Sequence, residues 1–229
     1  MTHLGSVRRV VVFDIDDTLY LERDYVRSGF AAAGAWARAE LGVADLGERA
    51  WAAFGAGVRG RIFDEALVAC GAGANGSVVS QLVEVYRSHA PAIEPLADVS
   101  AWLAGRPADV AVAVVTDGPL ASQRAKAAAL GLAGWADPIV FTEELGPGRG
   151  KPHPAAFTRV EAATGMTGAA CAYVADNPVK DFAGPRSRGW RTVRVRRAGG
   201  LHVAAASGDD VDAEITDFAE LNEALAWSA

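Results

Sequence analysis

The stretch DIDDTLY, Asp14 to Tyr20, sets two carboxylates two positions apart at the end of a short apolar run, Arg9 to Ile15. In an extended strand end Asp14 and Asp16 point to the same side, and paired carboxylates repel unless a cation is present or one is protonated. Three later stretches carry matching chemistry: Thr116 and Asp117 in VVTDG, Lys151 in GKPHP, and Asp176 with Asp181 in VADNPVKD. Asp176 completes an oxygen-rich set suited to Mg²⁺, which accepts a few carboxylates and keeps waters for substrate oxygens. Lys151 and the Thr116 hydroxyl supply donors for the charge on the equatorial oxygens of a phosphoryl group in transfer. A calcium loop of the EF-hand type fits poorly, because Leu19 and Tyr20 follow Thr18 where that loop needs an oxygen ligand and then glycine.

These residues need elements to hold them. Arg9 to Ile15, Val110 to Thr116, Ile139 to Thr142, Ala172 to Asp176 and Arg191 to Val195 are short β-branched or aromatic runs of the kind that strands buried on both faces show. Helical periodicity fills the stretches Leu120 to Leu130, Pro154 to Thr164, Val179 to Arg188 and Phe218 to Trp227. Alternating strands and helices predict an α/β fold, a Rossmann-like parallel sheet flanked by helices. In such sheets ligands bind beyond the carboxyl ends of the strands, which is where the acidic and threonine motifs fall.

Between the first two strands the alternation stops for about ninety residues, more than a crossover helix requires. Val26, Phe30, Ala33, Ala37 and Leu41 keep a three-four spacing there, and further helical patterns cover Glu48 to Val58, Phe63 to Cys70 and Val78 to His89. The expected organisation is an α/β core domain, residues 1–20 and 94–229, with residues 21–93 inserted after the first strand as a helical domain. Tyr25, Trp36, Trp51, Phe54 and Phe63 read as the core of that insert. His89 and Arg87 stand near the return to the core domain, and Arg23 follows the first motif closely enough to reach a leaving group.

Composition narrows the partners. The formal net charge of -6 and a pI near 5.2 give no overall pull toward nucleic acid or an anionic membrane. No apolar run approaches the roughly 20 residues that span a bilayer, and MTHLGSVRR leads into a strand rather than a signal-peptide core, so the expected location is the cytoplasm. Cys70 and Cys171 lack the close spacing of a zinc or redox motif and read as reduced, partly buried residues. Lysine occurs only at 126, 151 and 180 in a chain rich in arginine, which marks each lysine as a candidate for chemistry. Arg191, Arg194, Arg196 and Arg197 read as a solvated strand face, with Val193 and Val195 turned inward.

The four motifs in this order, DIDDTLY, VVTDG, GKPHP and VADNPVKD, resemble those of the haloacid dehalogenase superfamily, and the match spans nearly the whole chain. The insert resembles that superfamily's C1 cap, and the flanking sequences resemble its bacterial phosphatase-like members. The resemblance implies a Mg²⁺-dependent phosphatase acting on a small phosphorylated metabolite through an aspartyl-phosphate. It implies Asp14 as nucleophile and metal ligand, and Asp16 as acid and then base with its backbone carbonyl on the metal. It implies Asp176 as metal ligand, and Thr116, Asp117 and Lys151 around the phosphoryl group. Asp181 would orient a metal water or Lys151, and Thr18 would fix the loop after the nucleophile. Ala175 and Asp117 stand where relatives often carry glycine and asparagine.

Within the superfamily, a carboxylic acid two positions after the nucleophile supplies the proton that an alkoxide needs and a halide does not, so Asp16 favours phosphate esters over dehalogenation. The lysine-free insert argues against phosphonate cleavage through a Schiff base. A sugar phosphomutase of the same superfamily and a catalytically silent binding protein of the same fold are the alternatives. Nothing in the sequence sets an oligomeric state.

Overall fold

The computed structural model describes residues 8–227. The opening MTHLGSV, where no signal-peptide core is read, lies outside the described residues. The chain divides into two compact units, Met1–Glu22 with Glu94–Ala229, and Arg23–Ile93. Among the described residues no helix is long and apolar enough to cross a membrane.

The first unit is built on a six-stranded sheet in the order β3-β2-β1-β4-β5-β6. Its strands are β1 (Arg9–Phe13), β2 (Val110–Thr116), β3 (Ile139–Phe141), β4 (Cys171–Ala175), β5 (Arg191–Val195) and β6 (Ala213–Ile215). All neighbouring pairs are parallel, and Phe13 of β1 lies opposite Val114 on one side and Val174 on the other. A parallel strand with partners on both edges and helices on both faces has no wet side, which is why β1 is RVVVF and buried from Val10 onward.

Alternate residues serve the two faces. Val10, Val12, Val115 and Tyr173 pack with Phe157 and Trp190 on one. On the other, Phe13 meets Trp102 edge-on at 5.4 Å and stacks on Phe218 at 5.2 Å. Each such fully buried side chain contributes about 1.5–3 kcal/mol. Successive strands run outward from β1 through β2 and β3, then from β4 through β5 and β6, so the order reverses between β1 and β4. The crevice at such a reversal is the place for a ligand.

Three expectations are corrected. β6 lies beyond β5, with Val193 opposite Ala213, and has no counterpart in the sequence reading. The helix expected over Val179 to Arg188 is reduced to a short turn of helix, Ala183–Arg186. Local side-chain bonds compete with helix there: Asn177 Oδ1 accepts from the Val179 amide at 3.0 Å and Asp181 Oδ2 from the Asn177 amide at 3.0 Å. The arginines in and just after β5 are not a solvated face, because Arg194 is 0% and Arg197 5% exposed. The stretch 202–207 covers Arg194, whose guanidinium donates to the carbonyls of His202 at 2.7 Å, Ala205 at 2.9 Å and Asp176 at 3.0 Å. Arg197 is sealed by Phe218, 4.6 Å away, and by Asp98. Val193 and Val195 are buried as read.

The second unit holds α1 (Glu22–Leu41), whose first residue belongs to the other unit, with α2 (Leu46–Gly55), α3 (Ile62–Ala69) and α4 (Gly76–Ser88). Val26, Phe30, Ala33 and Ala37 form the apolar stripe of α1, and Leu46, Ala50, Phe63, Leu67 and Leu82 close on it. Trp36, Trp51 and Phe54 pack against this core. α1 and α2 approach so closely that a Cβ at Gly47 would stand 2.6 Å from the Phe30 carbonyl oxygen. Asn75 caps α4 by accepting from the Ser77 amide at 3.0 Å.

Candidate active site

Asp14 is the first residue past β1, and its amide donates to Val174 of β4 at 3.0 Å, which fixes it at the reversal of the sheet. The chain then turns sharply: the Leu19 amide bonds back to the Ile15 carbonyl at 3.0 Å, and Asp17 takes a left-handed φ of 50°. Aspartate tolerates that conformation better than most residues. Here its carboxylate accepts from the amides of Glu22 at 2.8 Å and Leu201 at 2.7 Å. Thr18 is anchored through its carbonyl, which accepts two bonds from Arg197 at 3.2 and 3.0 Å, while its buried hydroxyl finds no partner.

Asp14, Asp176 and Asp181 are buried and each offers a carboxylate oxygen within 4.8 Å of the others. Burial pushes the Asp14 carboxyl up, Lys151 pulls it down, Asp181 adds to the rise, and the balance is about 6. Asp176 is pushed up to about 9 by burial, then by the charges of Asp14 and Asp181. No donor among the described residues reaches the Asp176 carboxylate, and Oδ1 of Asp181 is buried without a hydrogen bond.

Lys151 is the cation that faces this acidic group. Its ammonium stands 3.0 Å from Asp14 Oδ1, 2.8 Å from Asp181 Oδ1, and donates to the Tyr173 hydroxyl at 3.0 Å. Burial would lower its proton affinity, but Asp14 and Asp181 raise it well above the ordinary lysine value, so it stays charged. The loop that carries it is pinned by Asp117, whose carboxylate accepts the Lys151 amide at 3.1 Å and the Thr142 hydroxyl at 2.6 Å. Asp117 thus turns toward the lysine loop, with Lys180 as a distant partner at 3.9 Å.

Asp16 goes elsewhere. Its carboxylate is held by Lys126 at 2.7 and 2.8 Å, by Gln123 Nε2 at 3.2 Å and by the Tyr20 hydroxyl. Burial would raise this carboxyl, yet the charge and bonds of Lys126 and the bonds from Tyr20 and Gln123 hold it below the usual carboxylate range. Thr116, the last residue of β2, donates its hydroxyl to Gln123 Oε1 at 3.0 Å. Lys126 and Gln123 come from helix Leu120–Ala129, and neither they nor Tyr20 and Tyr173 were assigned a site role from sequence. The one signal was the rarity of lysine: all three lysines lie within 3.9 Å of a motif carboxylate.

The three-carboxylate group fits a hard divalent cation. Its ligands are oxygens, and it carries more negative charge than the one buried ammonium of Lys151 balances. Asp14 and Asp176, two of the three expected ligands, are in it; the third expected ligand atom was the backbone carbonyl of Asp16.

Arg23 falls in the other unit, where its guanidinium stands 5.7 Å from the Trp51 ring. His89, 8% exposed, caps α4: its Nδ1 lies 2.6 Å from the Tyr86 carbonyl, and its ring packs on Tyr25. A cavity of about 290 Å³ opens among Phe30, Phe54, Phe63, Tyr86, Arg59 and Arg87 in the same unit.

Residues 8–187 match the family model described as haloacid dehalogenase-like hydrolase. Over 152 residues the chain is 33% identical to a phosphoserine phosphatase of Thermus thermophilus, a stretch that is 66% of this chain and 59% of that relative. The chain thus spans less than two thirds of that relative's length. Among solved structures, the 2-haloacid dehalogenase of Pseudomonas syringae is 25% identical with a TM-score of 0.64, covering 95% of this chain and 98% of that one. The HAD-hydrolase YfnB of Bacillus subtilis, solved bound to magnesium, is 16% identical with a TM-score of 0.67, covering 96% and 99%. With a match over most of its length and the motif residues gathered at the reversal of its sheet, the chain belongs to the haloacid dehalogenase-like hydrolases.

Proposed function

We propose that the protein is a Mg²⁺-dependent phosphomonoester hydrolase that releases phosphate from a small phosphorylated metabolite through an aspartyl-phosphate on Asp14. The observation that carries this reading is the pairing of Asp14 with Lys151 at 3.0 Å inside a buried group of three carboxylates. A nucleophilic carboxylate and a buried cation together suit an incoming dianion, and the second acid, Asp16, suits an alkoxide leaving group. The likeness to a phosphoserine phosphatase supports phosphate as the group transferred.

In the first half-reaction an Asp14 oxygen attacks phosphorus, the bond to the ester oxygen breaks, and a proton on Asp16 passes to the departing alkoxide to give the alcohol. In the second, water attacks the same phosphorus and gives its proton to Asp16. The phosphorus–Asp14 bond then breaks, and inorganic phosphate leaves with Asp14 restored. Lys151 offsets charge on the phosphoryl oxygens, Thr116 donates its hydroxyl to them, and Asp181 holds the Lys151 ammonium in place. Mg²⁺, when bound by Asp14, Asp176 and the Asp16 carbonyl, supplies the charge neutralisation that lets a phosphate dianion approach three carboxylates. Asp117 keeps the lysine loop seated.

The dehalogenase likeness gives the competing reading, a halide leaving group on a carbon substrate. Both are tested by one experiment: purified protein is assayed for phosphate release from phosphorylated metabolites and aryl phosphates, and for halide release from 2-halo acids, with and without Mg²⁺. Mg²⁺-dependent phosphate release, abolished by Asp14→Asn, supports the proposal. Halide release without phosphate release overturns it.

A further inference from the structure

An ionised carboxylate offers about four acceptor sites on its two oxygens. Asp16 has four hydrogen bonds on them: Tyr20 and Lys126 on Oδ1, Lys126 and Gln123 on Oδ2. A carboxyl group so occupied has no site left for the proton that the reaction above assigns to it. One donor has to leave: Tyr20 is 1% exposed, so its release would strand a buried hydroxyl, and between the other two the geometry indicates which. Lys126 bridges both oxygens at 2.7 and 2.8 Å from a side chain only 5% exposed, so its release would strand a buried ammonium. Gln123 makes the long bond, at 3.2 Å, and its other end is tied to Thr116.

That tie is conditional. The Thr116 hydroxyl has one hydrogen, which goes to Gln123 Oε1 at 3.0 Å. A phosphoryl oxygen that takes this hydrogen deprives the Gln123 amide of its partner, loosens it, and opens a site on Asp16 Oδ2. Gln123 and Lys126 lie three residues apart on one helix face, so one element presents both the donor that lets go and the donor that stays. We propose that Lys126 is the positioning residue for Asp16, fixing its carboxyl plane on the leaving-group oxygen, and that Gln123 is the releasable donor through which phosphoryl binding at Thr116 frees Asp16. The inference rests on the phosphomonoesterase reading.

The test follows the leaving group. For an enzyme that forms a phospho-aspartate, kcat/KM covers binding through cleavage of the ester bond, the half in which Asp16 gives up its proton. A well-placed acid makes kcat/KM nearly indifferent to leaving-group basicity across a series of substituted phenyl phosphates. Lys126→Met is expected to steepen that dependence, so that the most basic leaving group loses about tenfold or more beyond the loss at the most acidic one. Lys126→Arg, which restores charge and donors, recovers most of the shallow dependence, and Gln123→Met, which removes a donor that has to leave in any case, leaves the dependence unchanged; a dependence steepened by Gln123→Met as much as by Lys126→Met overturns the division of roles between the two. If Lys126→Met does not fold, Lys126→Gln carries the same expectation. Equal losses across the series in the Lys126 variants overturn this inference alone. Absence of phosphate release by the wild-type protein from the whole series overturns the hydrolase reading and this inference with it.

Discussion

The two corners of the crevice each join a buried lysine to a motif aspartate, and they are built in opposite ways. Around Lys151 one cation faces three carboxylates; burial first, and the neighbouring acids after it, push Asp14 up to about 6 and Asp176 to about 9. Around Lys126 every acceptor site of Asp16 is filled, and the Asp16 pKa falls instead. The first corner is electrostatically unfinished, which is what a site for a cation and a phosphate needs. The second is complete, which is what a group that must be held still needs. Asp14 and Asp16 are two residues apart, yet they have opposite environments because the strand has already ended at Phe13, so strand alternation no longer holds them to one side and the Asp16 carboxylate meets Lys126 of helix Leu120–Ala129.

The widest gap between the corners should appear on removing each lysine. Lys151→Met leaves Asp14 and Asp181 facing each other with no cation between them, and breaking such a buried pair costs about 3–5 kcal/mol. Lys126→Met leaves Asp16 with Tyr20 and Gln123 still bonded and a side chain 20% exposed, so about 1–3 kcal/mol is expected. Urea denaturation of both variants without metal measures the difference. Equal losses would mean that the surplus charge around Lys151 is relieved in some other way.

The next effect comes from pH and metal. Asp14, Glu22 and Asp176 have folded-state values of about 6, 7 and 9, above those of unfolded carboxyls. Between pH 4 and 9 the folded protein therefore binds more protons than the unfolded chain. The stability these protons contribute is complete below the ordinary carboxyl range and is lost as pH rises through those three values. In chelator the Tm should fall between pH 5 and pH 9 by several degrees, at about 2–4 °C per kcal/mol for a chain of this size. Mg²⁺ should restore more of it at pH 9 than at pH 5. A chelator-treated protein whose Tm rises over that interval would contradict the raised carboxyls at Asp14, Glu22 and Asp176.

A smaller change tests how the Lys151 corner is assembled. Asp117→Ala removes the acceptor for the Lys151 amide and the Thr142 hydroxyl, so the loop loosens by about 1–2 kcal/mol and kcat on an aryl phosphate drops about tenfold. Unchanged kcat with lowered stability would place Asp117 in folding alone.

The unequal legibility of the two corners in the sequence has a physical cause. Asp14, Thr116, Lys151, Asp176 and Asp181 sit at strand ends or in the loops that follow, where short apolar runs mark position to within a residue or two. Lys126 and Gln123 sit inside a helix, where a polar residue normally faces water, and only the fold turns Ser122, Gln123 and Lys126 inward. Arg194 was misread for a related reason. Alternation of valine and arginine is the mark of a strand with one wet face, but the stretch 202–207, which no local pattern announces, covers that face and gives the guanidinium its carbonyl partners. The alternating strands and helices and the long interruption after β1 were legible because each extends over many residues.

Lys180 supplies the smallest expected effect and the control for the others. Its ammonium is 3.9 Å from Asp117 and its side chain is 38% exposed, so water screens the pair and the long side chain loses rotamer freedom in making it. Lys180→Ala should change the free energy of unfolding by less than about 0.5 kcal/mol in the same urea titration. It shares the crevice with Lys126 and Lys151 and differs from them in burial, so the order Lys151, Lys126, Lys180 isolates what burial contributes. A loss on removing Lys180 as large as that for Lys126 would show that the stabilisation follows the net charge of the crevice rather than the sealed contacts at Asp14 and Asp16.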